Sequence, residues 1–247
     1  MFSKRLAMDA IHACRVAMQP REEHAANVSF FECEESDTQA VVLDSDKCIT
    51  IAYRATEVDE KQDILTDLKF RKVRPLLHHS MNTIHRGMLS GMESLFSPLA
   101  LRVQEAHNAG KSVNIAGHSL GGGEGTIFAN MAQREGYRID SVYTYGTPRT
   151  HSWSASARFN DILYTRTYSF FNHRDPVPSL PPARWNFQHC GNIGYFNRAG
   201  NLLWNPNPLR IAWDRAKGFG KDIVKEGIQW WDYHGLDRYE RLISLLQ

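Results

Sequence analysis

Val113-Asn114-Ile115-Ala116-Gly117-His118-Ser119-Leu120-Gly121-Gly122-Gly123 is an apolar, β-type run that breaks into glycines around a single serine. Gly117, Ser119 and Gly121 fit G-x-S-x-G, in which a sharp strand-to-helix turn pushes the serine hydroxyl out of the backbone and small neighbours keep it clear. So short a pattern recurs by chance, and its setting decides the reading. A helical stretch follows, Gly121 to Arg134, with Ile127, Phe128 and Met131 for a buried face. It opens on Gly121, Gly122, Gly123 and Gly125, each costing roughly 1 kcal/mol against Ala inside a helix. A chain that breaks its own local rule in this way usually does so at a site. The structural alternative is a glycine-rich turn that packs a helix tightly on a sheet.

Working outward, Gly110 ends a long helix, Gly87 to His107, disturbed at Pro98, and Lys111 starts the strand that leads into the turn. Beyond the glycine-rich helix come a strand at Ile139 to Tyr145, a helix at Trp153 to Phe159 and a strand at Ile162 to Tyr168. Strands alternating with helices imply a mostly parallel central sheet covered by helices on both faces, with sites at the carboxyl ends of the strands. Upstream, Val28 to Glu32, Ala40 to Leu43 and Cys48 to Tyr53 are separated by acidic turns, which predicts antiparallel strands near the N-terminus. Asp67 to Val73 is expected to extend the sheet. Ser3 to Met18 places Leu6, Ala10, Ala13 and Ala17 at helical spacing. Phe170 to Pro182 reads as a proline-rich loop, Trp185 to Phe196 as strand pieces with turns at Gly191 and Gly194, and Leu209 to Gln247 as a helical tail broken near Gly235. The expectation is one α/β domain over residues 1–247, with an N-terminal helix in 1–20 and a tail in 202–247.

The 247 residues suffice for a sizeable core, and 42% hydrophobic with 23% charged residues argues against disorder. A net charge of +2 gives no electrostatic footprint for nucleic acid. No run approaches the ~20 apolar residues of a transmembrane span. Cys14, Cys33, Cys48 and Cys190 show no C-x-x-C spacing, which argues against a zinc or dithiol site and leaves free thiols as the expectation. Met1 to Met18 carries Lys4, Arg5, Asp9 and Arg15 and lacks the apolar core of a secretory signal, so a cytoplasmic setting is expected. No metal or organic cofactor is implied.

A serine hydroxyl becomes a nucleophile only when a base takes its proton, and the base works best when a buried carboxylate orients it. Among the acids after Ser119, namely Asp140, Asp161, Asp175 and several in the tail, Asp175 alone sits in a loop directly after a predicted strand. Pro176 and Pro178 stiffen that loop, although Asp-Pro is also an ordinary turn opener. His151, His173, His189 and His234 all follow Ser119. In α/β-hydrolases the order is Ser, acid, His, which disfavours His151 and His173. His189 lies inside a β-like run, whereas His234 occupies a short loop between helical stretches and is preferred. His118 is expected to point away from the serine and to be structural.

The chain resembles the class 3, fungal-type lipases of the α/β-hydrolase superfamily over roughly residues 40 to 180 and the final histidine segment. The carriers are Ala52-Tyr53-Arg54-Ala55-Thr56, Ile84-His85-Arg86-Gly87, Gly117-His118-Ser119-Leu120-Gly121-Gly122, Tyr145-Gly146-Thr147-Pro148-Arg149 and Asp175-Pro176-Val177-Pro178. The resemblance implies an α/β-hydrolase fold, with Ser119, Asp175 and His234 as nucleophile, acid and base. It also implies an oxyanion hole from the backbone N–H groups of Thr56 and Leu120, and an acyl ester or phospholipid substrate. Ala55 replaces the family's usual glycine, which puts the pose of Thr56 in question. A lid is implied at residues 57–66. There Glu57-Val58-Asp59-Glu60-Lys61-Gln62-Asp63-Ile64-Leu65 offers only three apolar side chains, which suits dispersed esters better than bulk triglyceride.

Between Leu202 and Trp231, Trp204, Trp213, Trp230 and Trp231 alternate with Arg210, Arg215, Lys217, Lys221 and Lys225. The composition suits peripheral contact with a lipid surface, and core packing of the same tryptophans is its plainer use. Two other outcomes share the scaffold: a lipid-binding module without turnover, and an esterase or acyltransferase acting on small soluble esters.

Overall fold

The computed structural model describes residues 1–36, 38–54, 72–73, 84–222 and 230–246. Its strands are β1 (Val28–Cys33), β2 (Thr38–Asp44), β3 (Cys48–Tyr53), β4 (Lys72–Val73), β5 (Ile84–His85), β6 (Ser112–His118), β7 (Ser141–Tyr145), β8 (His151–Ser152), β9 (Thr167–Asn172), β10 (Phe187–Gln188), β11 (Asn192–Phe196) and β12 (Leu202–Trp204). The helices are α1 (Lys4–Met18), α2 (Arg86–Asn108), α3 (Ser119–Arg134), α4 (Trp153–Leu163), α5 (Pro208–Asp222) and α6 (Leu236–Ser244).

Eight strands form one sheet in the order β1-β2-β3-β6-β7-β9-β11-β12. The entry strands β1, β2 and β3 pair antiparallel, β3 through β11 run parallel, and β12 returns antiparallel on β11. A parallel sheet must be covered on both faces, and alternation along the strands supplies two apolar surfaces. Ile49, Ile51, Val113, Ile115 and Val142 face a core built with Leu99, Val103, Ile127 and Phe128 of α2 and α3. Val41, Ala52, Ala116, Tyr143 and Tyr145 face the other, built with Ala7, Ile11 and Cys14 of α1 and with Tyr239 and Ile243 of α6. Ser3 caps α1 by accepting from the Leu6 N–H, and the four cysteines are free thiols.

Four expectations shift. The strand placed at Ile162 to Tyr168 begins at Thr167, because α4 runs on to bury Leu163 beside Phe159. The loop that follows β9 therefore starts at His173. Lys72–Val73 does not join the main sheet but pairs with Ile84–His85 in a second, small sheet of order β10-β8-β5-β4. Gly191 turns the chain at φ +74°, but Gly194 lies inside β11, where a Cβ would meet the Phe170 ring at 2.8 Å.

Candidate active site

Close approach explains Gly117, ahead of the helix, and Gly121 and Gly122, two of the glycines that break the helix rule. A Cβ on Gly117 would lie 2.4 Å from the Gly121 carbonyl oxygen, and one on Gly121 would lie 2.4 Å from the carbonyl oxygen of Tyr53. A Cβ on Gly122 would lie 2.0 Å from Thr147 Oγ1. The first turn of α3 thus sits directly on the carboxyl ends of β3 and β6, a fit no larger residue allows. That compression is taken up by the residue between: Ser119 has φ +54°, a left-handed conformation that a non-glycine residue adopts only under constraint. Leu120 is the second residue of α3, so its N–H belongs to the helix-start donors that lack an intrahelical partner.

Beyond β7 in the sheet, β9 ends at Asn172 and its loop delivers Asp175, fully buried. Its Oδ2 lies 2.9 Å from His234 Nδ1 and accepts from the Tyr239 hydroxyl at 2.5 Å, while Oδ1 accepts from the Val177 N–H at 2.9 Å. Three donors thus converge on the two carboxyl oxygens and fix the side chain in place. The bond to Nδ1 sets the His234 tautomer with its proton on that nitrogen and the lone pair on Nε2. Gly146 makes the approach feasible: at φ +60°, its absent Cβ would lie 2.7 Å from Asp175 Oδ2 and 2.9 Å from His234 Nδ1.

The serine and histidine segments are tied together by His118. Its Nε2 lies 2.7 Å from the His234 carbonyl oxygen, to which it donates, and the two rings are 4.6 Å apart. Burial, with a smaller push from neighbouring His234, lowers the His118 pKa to about 3, so it is a neutral donor. His118 was expected to point away from Ser119 and to be structural. It is structural, but what it structures is the junction between Ser119 and His234.

The other candidates serve the fold. Asp140 accepts from the Val113 N–H at 2.9 Å, and Asp161 is exposed on α4. His151 is buried between Thr150 Oγ1 at 2.7 Å and Asn130 at 3.4 Å. His173 pairs with Asn172 Oδ1 at 3.0 Å, and His189 donates to the Pro178 carbonyl at 2.8 Å. Thr56, Ala55 and the segment 57–66 lie outside the described residues. Tyr239, Gly146 and Arg215, whose guanidinium donates to the Asp175 carbonyl at 3.1 Å, were not singled out from sequence for this site. Gly146 carried a signal, a glycine closing the strand after α3; Tyr239 and Arg215 are ordinary helix residues until the chain folds.

A family model described as lipase (class 3) matches residues 50–185, which hold the glycine turn and the Asp175 loop. The chain belongs to the class 3 lipase family. Among curated class 3 relatives, "Lipase" of Rhizomucor miehei is 34% identical over 63% of this chain and 44% of its own length. "Secreted mono- and diacylglycerol lipase 1" of Fusarium solani is 32% identical over 43% of this chain and 32% of its own length. The chain thus spans less than half the length of these relatives. The crystal structure of MDLA from Penicillium cyclopium shares the fold, with a TM-score of 0.71 over 95% of this chain and 96% of that one at 15% identity.

One expectation is overturned here. A cytoplasmic setting was read from the N-terminal residues, yet the Fusarium relative is named as secreted. The charged residues that argued for it belong to α1, whose Ala7, Ala10 and Ile11 are packed into the core. A helix shaped by packing carries no address.

Proposed function

We propose that this class 3 lipase-family chain hydrolyses carboxylic esters of acyl lipids through an acyl-serine intermediate. Ser119 Oγ attacks the ester carbonyl while His234 Nε2 takes its proton. The tetrahedral intermediate collapses as His234 returns that proton to the leaving alcohol, and a water activated by His234 then releases the fatty acid. Asp175 keeps the imidazole oriented and offsets its charge. The Leu120 N–H, at the positive end of α3, and the Thr56 N–H are the proposed donors to the developing oxyanion; each such donor lowers the barrier by on the order of 3 kcal/mol.

The observation that carries the reading is the buried Asp175–His234 bond of 2.9 Å, held by His118 against the turn that strains Ser119 to φ +54°. A strained serine beside a buried, oriented imidazole supports catalysis over passive binding. Acyl glycerols are the proposed substrate class, in keeping with the names of the relatives.

The decisive experiment is labelling with a fluorophosphonate, which reacts only with an activated serine. The wild-type chain is expected to label and to hydrolyse p-nitrophenyl esters, whereas Ser119→Ala folds, does not label and loses turnover. Labelling that survives in Ser119→Ala would sink the assignment.

A further inference from the structure

Helix α5, Pro208–Asp222, runs just ahead of the His234 loop and is built in two halves that do different things. Its inner side is anchored by polar bonds. Asp214 accepts from the Tyr195 hydroxyl at 2.9 Å and from the Arg198 N–H at 3.0 Å. Arg215 donates to Ser179 Oγ and to the carbonyl oxygen of Asp175. The outer side is apolar and in water. Leu209, Ala212, Trp213 and Ala216 stand at three- and four-residue spacing and are all exposed, Leu209 by 78% and Trp213 by 64%. An aliphatic and an indole side chain thus stand open to water one helical turn apart on the same face.

The charges select the partner. Asp214 is turned inward, so the charged residues among the exposed ones of 208–217 are Arg210 and Lys217, both basic. Lys217 Nζ lies 4.8 Å from the Trp213 ring centroid, which leaves a cation and an indole side by side at the surface. Apolar anchors flanked by cations, on a helix whose other side is pinned down, match the boundary between acyl chains and anionic headgroups.

We infer that the outer face of α5 docks on an anionic lipid surface and, through Arg215 and the Asp175 carbonyl, sets the candidate active site against it. The inference deepens the lipid-ester reading and rests on it for the use of such a surface. Binding is therefore measured apart from turnover, in Ser119→Ala protein, with vesicles of phosphatidylcholine alone or mixed with phosphatidylglycerol.

The Ser119→Ala chain is expected to co-sediment with the mixed vesicles and weakly with the neutral ones. Adding Leu209→Ala and Trp213→Ala lowers that partitioning by at least about tenfold, since both anchors are lost. Arg210→Glu with Lys217→Glu removes the preference for the anionic vesicles. In an otherwise wild-type chain, Leu209→Ala with Trp213→Ala leaves hydrolysis of a short soluble ester and the melting temperature unchanged. Equal partitioning with and without the two anchors overturns the inference. So does a dimer in sedimentation velocity that Trp213→Ala splits into monomers while vesicle binding is absent, because the face then belongs to a second copy. A chain that binds vesicles through α5 but never labels with a fluorophosphonate would leave docking standing and remove the hydrolase reading.

Discussion

Asp175 accepts three hydrogen bonds within a space that one methyl group would spoil. Gly146 is the residue that keeps that space, since its Cβ would enter both the carboxylate at 2.7 Å and the His234 ring at 2.9 Å. Gly146→Ala also imposes an L side chain on φ +60°, a strain of about 1 kcal/mol. Because the pair is buried and pinned by Tyr239 and Val177, it cannot retreat without losing its aim. A misplacement of about 1 Å lowers turnover by about a hundredfold. We expect that loss in the hydrolysis of a soluble p-nitrophenyl ester by Gly146→Ala, with the far-ultraviolet circular dichroism preserved; wild-type turnover in the variant contradicts the placement. The same crowding explains why the role of Gly146 was not assigned from sequence. The acid and base could be ranked by chain order and loop position, but the residue that lets them meet is defined by what is absent from it.

At the scale of elements, the seat of α3 on β3 and β6 is where close packing decides the geometry. Gly121 meets backbone, the Tyr53 carbonyl, and backbone cannot step aside; Gly122 meets a side chain, Thr147. The two therefore respond differently to the same added methyl. Gly121→Ala is expected to cost about 3 kcal/mol in urea unfolding, near the upper end of overpacking penalties. Gly122→Ala is expected to cost about 2 kcal/mol, part of which Thr147→Ala restores in the double variant because Oγ1 is the atom struck first. A double variant no more stable than Gly122→Ala alone would show that Thr147 is not the obstacle. From sequence the run of glycines was legible as a breach, and the strand–turn–helix around it was read correctly. That Gly121 approaches the end of β3, at Tyr53 and far earlier in the chain, and Gly122 approaches Thr147 is carried by no local pattern. The same reason misplaced β9. Asn160 to Leu163 is compatible with strand or helix, and burial of Leu163 beside Phe159 settled it as helix.

For the molecule as a whole, buried neutral histidines set an acid limit. Burial lowers the pKa values of His118 and His151 to about 3 from an ordinary 6.5. Between those values the unfolded chain binds protons that the folded chain refuses, so stability rises with pH there. The contribution is complete above about pH 6.5 and is lost as the pH falls toward 3. These two groups give a slope of up to about 3 kcal/mol per pH unit, and His189, lowered by burial to about 3 as well, adds about 1.4 more. Urea midpoints recorded from pH 7 down to pH 4.5 are expected to fall accordingly, and a flat profile contradicts the burial of these rings as neutral donors. The sequence alone determined the α/β class and the sharp serine turn, and it ranked the candidate acid and base, because periodicity, glycine placement and chain order are local or one-dimensional signals. It also marked the tryptophan-rich basic stretch, for which core packing was the preferred reading. Only the tertiary structure turned Trp213 outward and Asp214 inward, joined His118 to the His234 carbonyl and put Tyr239 on Asp175. Those contacts link residues far apart in the chain, and which of them form depends on how the two faces of the sheet are filled.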